Sequence, residues 1–146
     1  MDQRLSLITL GVDDLPRSRA FFESGLGWRP ASWNEAVCFY QLPGLALGLF
    51  GRQALAEDAK RPIDGGFSGV TLAINGRDRD EVDRMYAQAL AAGAKGLKAP
   101  EPVFWGGYSG YFADLDGHVW ELAHNPGAII DADGSTRFLG EDQNTD

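Results

Sequence analysis

The sequence predicts an α+β chain of two tandem βαβββ modules, and three observations carry that reading. The same order of elements occurs twice. The halves superpose: ITLGV at residues 8–12 lies on VTLAI at 70–74, and LALGLF after Gly44 lies on HVWELA after Gly117. Between them, residues 52–66 are polar, with Pro62 and the pair Gly65 and Gly66, and read as a linker.

Each element has a local reason. Residues 6–12 (SLITLGV) alternate as a strand; Asp13, Asp14 and Pro16 then supply a helix start. Leu15, Phe21, Phe22 and Leu26 give that helix an apolar face, ending near Gly25 and Gly27. Strands are expected at 28–33, 36–42 and 45–50. In the second half, residues 68–75 (SGVTLAIN) form a strand and 78–92 a helix with Val82, Met85, Tyr86, Ala89 and Leu90 on one face. Strands near 102–105, 108–114 and 118–124 complete it. The divisions are thus 1–51, first module; 52–66, linker; 67–126, second module; 127–146, a hairpin about Asp133 and Gly134 with a frayed acidic end, GEDQNTD.

With 146 residues there is room for one domain or two small repeated halves, not for two independent domains. The apolar runs are far too short to span a bilayer. MDQRLSLITL reads as the first strand rather than a signal peptide, so a cytoplasmic protein is expected. A formal charge of −8, with no basic cluster, argues against nucleic acid and is compatible with a cationic or neutral small molecule. The lone cysteine, Cys38, lies in an apolar run and reads as a buried thiol. DLDG at 114–117 is too short for a calcium loop and reads as a tight turn.

Because strand side chains alternate, Ile8, Leu10 and Val12 pack under the first helix and Val70, Leu72 and Ile74 under the second. The opposite faces carry Leu7, Thr9 and Gly11, and Gly69, Thr71 and Ala73, small or mixed residues that leave room for a ligand. On that side stands Glu121, an acid between Trp120 and Leu122, in the position that Gly48 takes in the first half. It is a structural acid bonded to Thr9, Thr71 or Tyr111, a ligand contact for an amine, amide or hydroxyl, a general base, or a metal ligand. Aromatics crowd the second half, and FWGGYSG, where glycines keep the backbone open beside Trp105 and Tyr108, suits a pocket that stacks a flat or cationic ligand.

ITLGVDDLPRSRAFFESGLGW at 8–28 and GYFADLDGHVWEL at 110–122 resemble the signatures of the vicinal oxygen chelate superfamily, which includes glyoxalase I, bleomycin-resistance proteins and extradiol dioxygenases. The chain departs from the usual pattern at Leu115, where the family has proline. The resemblance implies an eight-stranded mixed sheet curved around a cavity, and a homodimer. It also implies a divalent metal at four positions, here Leu7, Gly48, Gly69 and Glu121. Only Glu121 has a donor, and His118 and His124 fall on the other face, so no metal cofactor is expected. The function expected is binding of a small organic ligand at Thr9, Thr71, Trp105, Tyr108, Tyr111 and Glu121, as in the bleomycin-resistance branch. The alternatives are a lyase, isomerase or dioxygenase with Glu121 as catalytic base or metal ligand, and a non-catalytic interaction module.

Overall fold

A computed structural model describes Gln3, residues 5–68 and residues 70–138. Gly69 and the acidic end GEDQNTD lie outside the described residues. The first module runs β1 (Leu7–Val12), α1 (Leu15–Ala20), β2 (Ser32–Trp33), β3 (Val37–Leu42) and β4 (Leu45–Gly51). After α2 (Arg52–Ala59), the second runs β5 (Thr71–Asn75), α3 (Arg79–Ala91), β6 (Lys95–Pro102), β7 (Tyr108–Ala113) and β8 (Val119–His124). The hairpin of β9 (Ala128–Ile130) and β10 (Thr136–Phe138) follows, turning at Asp131 to Ser135 as the sequence suggests.

The α+β class and the repeated βαβββ order are as expected. The eight module strands form two four-stranded mixed sheets, β1-β4-β3-β2 and β5-β8-β7-β6. In each, the first strand pairs in parallel with the last and the remaining pairs are antiparallel.

Local chemistry sets the helix starts. Asp14 caps α1 by accepting the Arg17 N–H, and Asp78 caps α3 by accepting the Glu81 N–H at 2.7 Å. The first helix continues past Ala20 as a π-helical turn, Phe21–Gly25. That turn brings Gly25 against the end of α3: a Cβ at position 25 would sit 2.5 Å from the Cβ of Ala92, so only glycine permits the approach.

Three expectations need correction. The segment expected to be a plain linker begins with α2, because RQALAEDA is rich in strong helix formers although it has little apolar periodicity. Leu55 and Arg52 of α2 lie against Gly11, whose missing side chain makes the space. The strand expected at 102–105 lies instead at Lys95–Pro102, with two register shifts against β7. Pro100 and Pro102 disguise it, and an edge strand is where a sheet tolerates proline. Residues 103–107 form the connecting turn, closed by Val103 N–H to the Gly107 carbonyl. The expected strand at 28–33 shrinks to Ser32–Trp33.

The modules pack through their helix-side faces. Phe22 lies 6.0 Å from Trp120 and Trp28 lies 6.3 Å from it, centroid to centroid, while Phe112 stacks parallel on Trp120 at 6.2 Å. Tyr40, Leu47, Leu49, Val82 and Leu122 fill in around them and are nearly inaccessible. Cys38 is in this core, and burial pushes its thiol up.

A polar link joins the modules at one end. Asp114 binds its own turn, accepting from the N–H groups of Asp116 and His118 and from the Trp120 indole. Burial nevertheless raises its pKa. DLDG is thereby a tight turn, with Gly117 at φ 82°. The turn aims Asp116 into the first module, where its carboxylate accepts the Asp13 N–H at 2.8 Å and the hydroxyl of buried Ser18 at 2.7 Å. His118 donates from Nε2 to the Gly11 carbonyl at 2.7 Å. No helix among the described residues is long and apolar enough to cross a membrane.

Asp116→Ala would leave the Ser18 hydroxyl buried without its acceptor, so a loss of about 1–3 kcal/mol is expected in urea unfolding. A change under about 0.5 kcal/mol would show that the link contributes no more than an ordinary surface contact.

Candidate functional site

Since the helix-side faces are used up between the modules, the other face of each sheet points outward. On the second sheet this outer face is a hollow of about 440 Å³, lined by Ala73 and Asn75 of β5, Glu121 and Ala123 of β8, Asn125, Trp105, and Thr136 and Phe138 of the hairpin. The period of two along β5 and β8 selects these side chains.

Glu121 sits at the centre of its strand row, paired with Ala73 on one side and Tyr111 on the other. The Tyr111 hydroxyl donates to Glu121 Oε2. Among the described residues Oε1 has no protein partner, and the side chain is half-buried. The bond to Glu121 raises the Tyr111 pKa, because the carboxylate holds the phenolic proton and disfavours a phenolate beside it. Trp105 borders the hollow from the β6–β7 turn with its ring over Gly107, where any Cβ would fall within 2 Å of ring carbon. Gly107 thus leaves the space that the indole occupies.

The structure gathers only part of the expected site. Glu121 and Tyr111 are bonded, and Trp105 shares the hollow. Thr71 lies further along β5, paired with Val119, and lines a different cavity. Thr9 belongs to the first sheet, beside Gly48. Tyr108 is on the helix side: its hydroxyl donates to Asp83 of α3 at 2.7 Å, and Arg79 stands over its ring. The alternation that sends Tyr111 outward sends Tyr108 inward. Of the three expected partners of Glu121, Thr9, Thr71 and Tyr111, the structure selects Tyr111, whose hydroxyl donates to the carboxylate.

Pairing also corrects the superposition of the halves. Gly48 pairs with Thr9, whereas Glu121 pairs with Ala73 rather than Thr71, a two-residue offset that preserves the face but changes the neighbour. Asn75 and Asn125 were legible by alternation from Ala73 and Glu121; nothing in the sequence placed Phe138 here.

The residues present do not fit a divalent metal. A side chain added at Gly48 would meet Phe39 Cε1 at 3.1 Å and Leu7 Cδ1 at 3.5 Å, so hydrocarbon occupies that part of the first sheet. His124 donates to the Gly76 carbonyl at 3.3 Å, and His118 is engaged with Gly11. Among the described residues no three His, Cys, Asp or Glu side chains are grouped to hold an ion.

With this geometry established, comparison with known proteins is direct. The Glyoxalase/Bleomycin resistance protein/Dioxygenase superfamily model matches residues 4–122. The chain belongs to that superfamily. A solved glyoxalase-related enzyme from Fulvimarina pelagi is similar at 38% identity and TM-score 0.90, over 95% of this chain and 100% of that one. A glyoxalase/bleomycin resistance protein/dioxygenase family enzyme from Burkholderia phytofirmans PsJN shares 20% identity, with TM-score 0.73, over 83% of this chain and 98% of its own. A lactoylglutathione lyase from Agrobacterium tumefaciens shares 22% identity, with TM-score 0.66, over 86% and 96%. At those identities the last two show the fold alone. No match was found among functionally curated proteins.

Replacing Glu121 by Ala removes both the acceptor and the charge beside the Tyr111 phenol. The Tyr111 pKa should then fall toward the ordinary value of about 10, read by NMR of the labelled tyrosine Cζ. An unmoved titration would show that the bond does not govern the phenol.

Proposed function

We propose that this superfamily member binds a small organic molecule in the hollow around Glu121, as a homodimer and without a metal. The observation that supports this reading is the Glu121 carboxylate, held through Oε2 by Tyr111 and left with Oε1 to accept, beside a flat, 42%-exposed Trp105. A carboxylate in that setting accepts from an amine, amide or hydroxyl. The indole face stacks on an aromatic group or attracts a cation. Asn75 and Asn125 add amide groups that read ligand orientation.

The homodimer reading rests on the large apolar side chains that the chain leaves exposed. Leu7 and Trp105 are each more than two-fifths exposed, and Phe67, Val70 and Phe104 are more open still. Monomers rarely leave that much apolar surface uncovered, and a second copy would close the hollow from above. Sedimentation is expected to give a dimer.

The enzymatic alternative rests on the same pair. A carboxylate hydrogen-bonded to a phenol can take a proton from carbon while the phenol steadies developing charge, the chemistry of a lyase or isomerase. The Fulvimarina protein's description as a glyoxalase-related enzyme keeps that reading second.

Calorimetric titration with primary-amine and aromatic cationic metabolites should find saturable binding. Glu121→Gln should weaken it tenfold or more, in line with about 1.5–3 kcal/mol for a charged hydrogen bond. Chelator-stripped protein should take up no stoichiometric Zn, Ni, Mn or Fe(II). Absence of binding across the panel, or an affinity indifferent to Glu121→Gln, would reject the proposal. Substrate turnover abolished by Glu121→Gln would move the enzymatic reading to first place.

A further inference from the structure

A cavity larger than the Glu121 hollow lies elsewhere among the described residues. It is a cleft of about 640 Å³ between the two modules, on the helix side, and neither the superfamily signature nor the Glu121 hollow accounts for it. One wall comes from the first module, with Ile8, Leu45 and Leu47; the other comes from the second, with Leu72, Met85 and Trp120. Residues 134–136 of the hairpin form part of the rim.

Two features distinguish this cleft from a packing flaw. Protein interiors fill space at about the density of organic crystals, and voids beyond a water molecule are few. A gap this large falls instead within the range of ligand pockets, about 300–1,000 Å³. The second feature is chemical. None of the residues lining the cleft is Asp, Glu, Lys, Arg or His, although 23% of the chain is charged. An ionic guest would find no counter-charge there, and burying an unpaired charge is strongly unfavourable. An apolar guest would gain contact with two tryptophans, a methionine and several leucines. Thr71, Asn75, Gln88, Ser135 and Thr136 give a few neutral hydrogen-bonding groups. β5, which among the described residues pairs with β8 alone, runs along the cleft with all five of its residues in the lining.

We infer that the inter-module cleft is a second binding site, for a neutral and mainly apolar small molecule, chemically distinct from the acid-bearing hollow of Glu121. The two sites lie on either side of β5 and share Ala73, Asn75 and Thr136. They select opposite chemistries: the hollow accepts a hydrogen-bond donor or cation, and the cleft accepts hydrocarbon.

The test uses N-phenyl-1-naphthylamine, a neutral apolar fluorophore, with the full-length protein. The chain has two methionines, Met1 and Met85, so methyl labelling of methionine places one reporter in the cleft. Titration should give saturable dye fluorescence and a matching, saturable shift of the Met85 methyl signal. Leu42→Trp, at a half-buried position in the cleft lining, should weaken the dye at least tenfold while leaving the circular dichroism spectrum unchanged. The inference is overturned by absence of saturable binding, or by binding that leaves the Met85 methyl unmoved. It is also overturned if Trp105→Ala weakens the dye as much as Leu42→Trp does, since the dye would then occupy the Glu121 hollow. The Met85 signal decides the matter in the unmutated protein should Leu42→Trp fail to fold.

Discussion

The rest of the structure depends on where the two modules put their hydrophobic faces. Each four-stranded sheet has one helix-covered face, and Trp120, with Phe22, Trp28 and Phe112 around it, joins the two into one core. A module of this size buries too little apolar surface to be secure alone, so each uses the other as half of its interior. Two consequences follow from geometry. The outer faces of both sheets are turned to the surroundings, which puts Glu121 in an open hollow. The helix-side surfaces, unable to match along their whole length, leave the cleft between them.

Much of this was legible in the sequence because the relevant signals are local and repeated. Alternation along residues 8–12 and 71–74 fixed which side chains point inward, although Val70, expected under the second helix, precedes β5 and is exposed; Asp14 and Asp78 announced the helices they cap. What escaped was set by other physics. α2 has propensity without periodicity, so a search for an apolar stripe passes over it. The strand at Lys95–Pro102 carries two prolines and two register shifts, so its alternation is broken where a reader would look for it. The division into two sheets depends on how module edges meet, which no single strand encodes.

The site shows the same division. That Glu121 faces away from the helices could be read from one strand, and Tyr111 was among its expected partners, but the choice of Tyr111 over the two threonines could not be read. A two-residue offset in how β5 lies against β8, relative to β1 against β4, puts Ala73 beside Glu121 and moves Thr71 away. Such an offset changes no side chain's face, so the hydrophobic pattern does not reveal it. Tyr108 was grouped with Tyr111 because both are aromatic and close in sequence, yet three residues along a strand reverse direction. Phe138 arrived from a hairpin beyond the repeat.

The link at the DLDG turn has a mechanical side. Asp116 and His118 grip the first module at Gly11, Asp13 and Ser18, by the carboxyl end of β1, whereas the cleft opens beside Ile8, nearer the other end. Beside the cleft the modules are joined again, through the approach of Gly25 to Ala92 and the Gln88 side chain donating to the Gly25 carbonyl. At the rim of the cleft the hairpin approaches the β3–β4 turn, with a Cβ at Gly134 falling 3.7 Å from Pro43. The cleft is therefore framed by contacts from three directions: the DLDG turn, the helix pair and the hairpin.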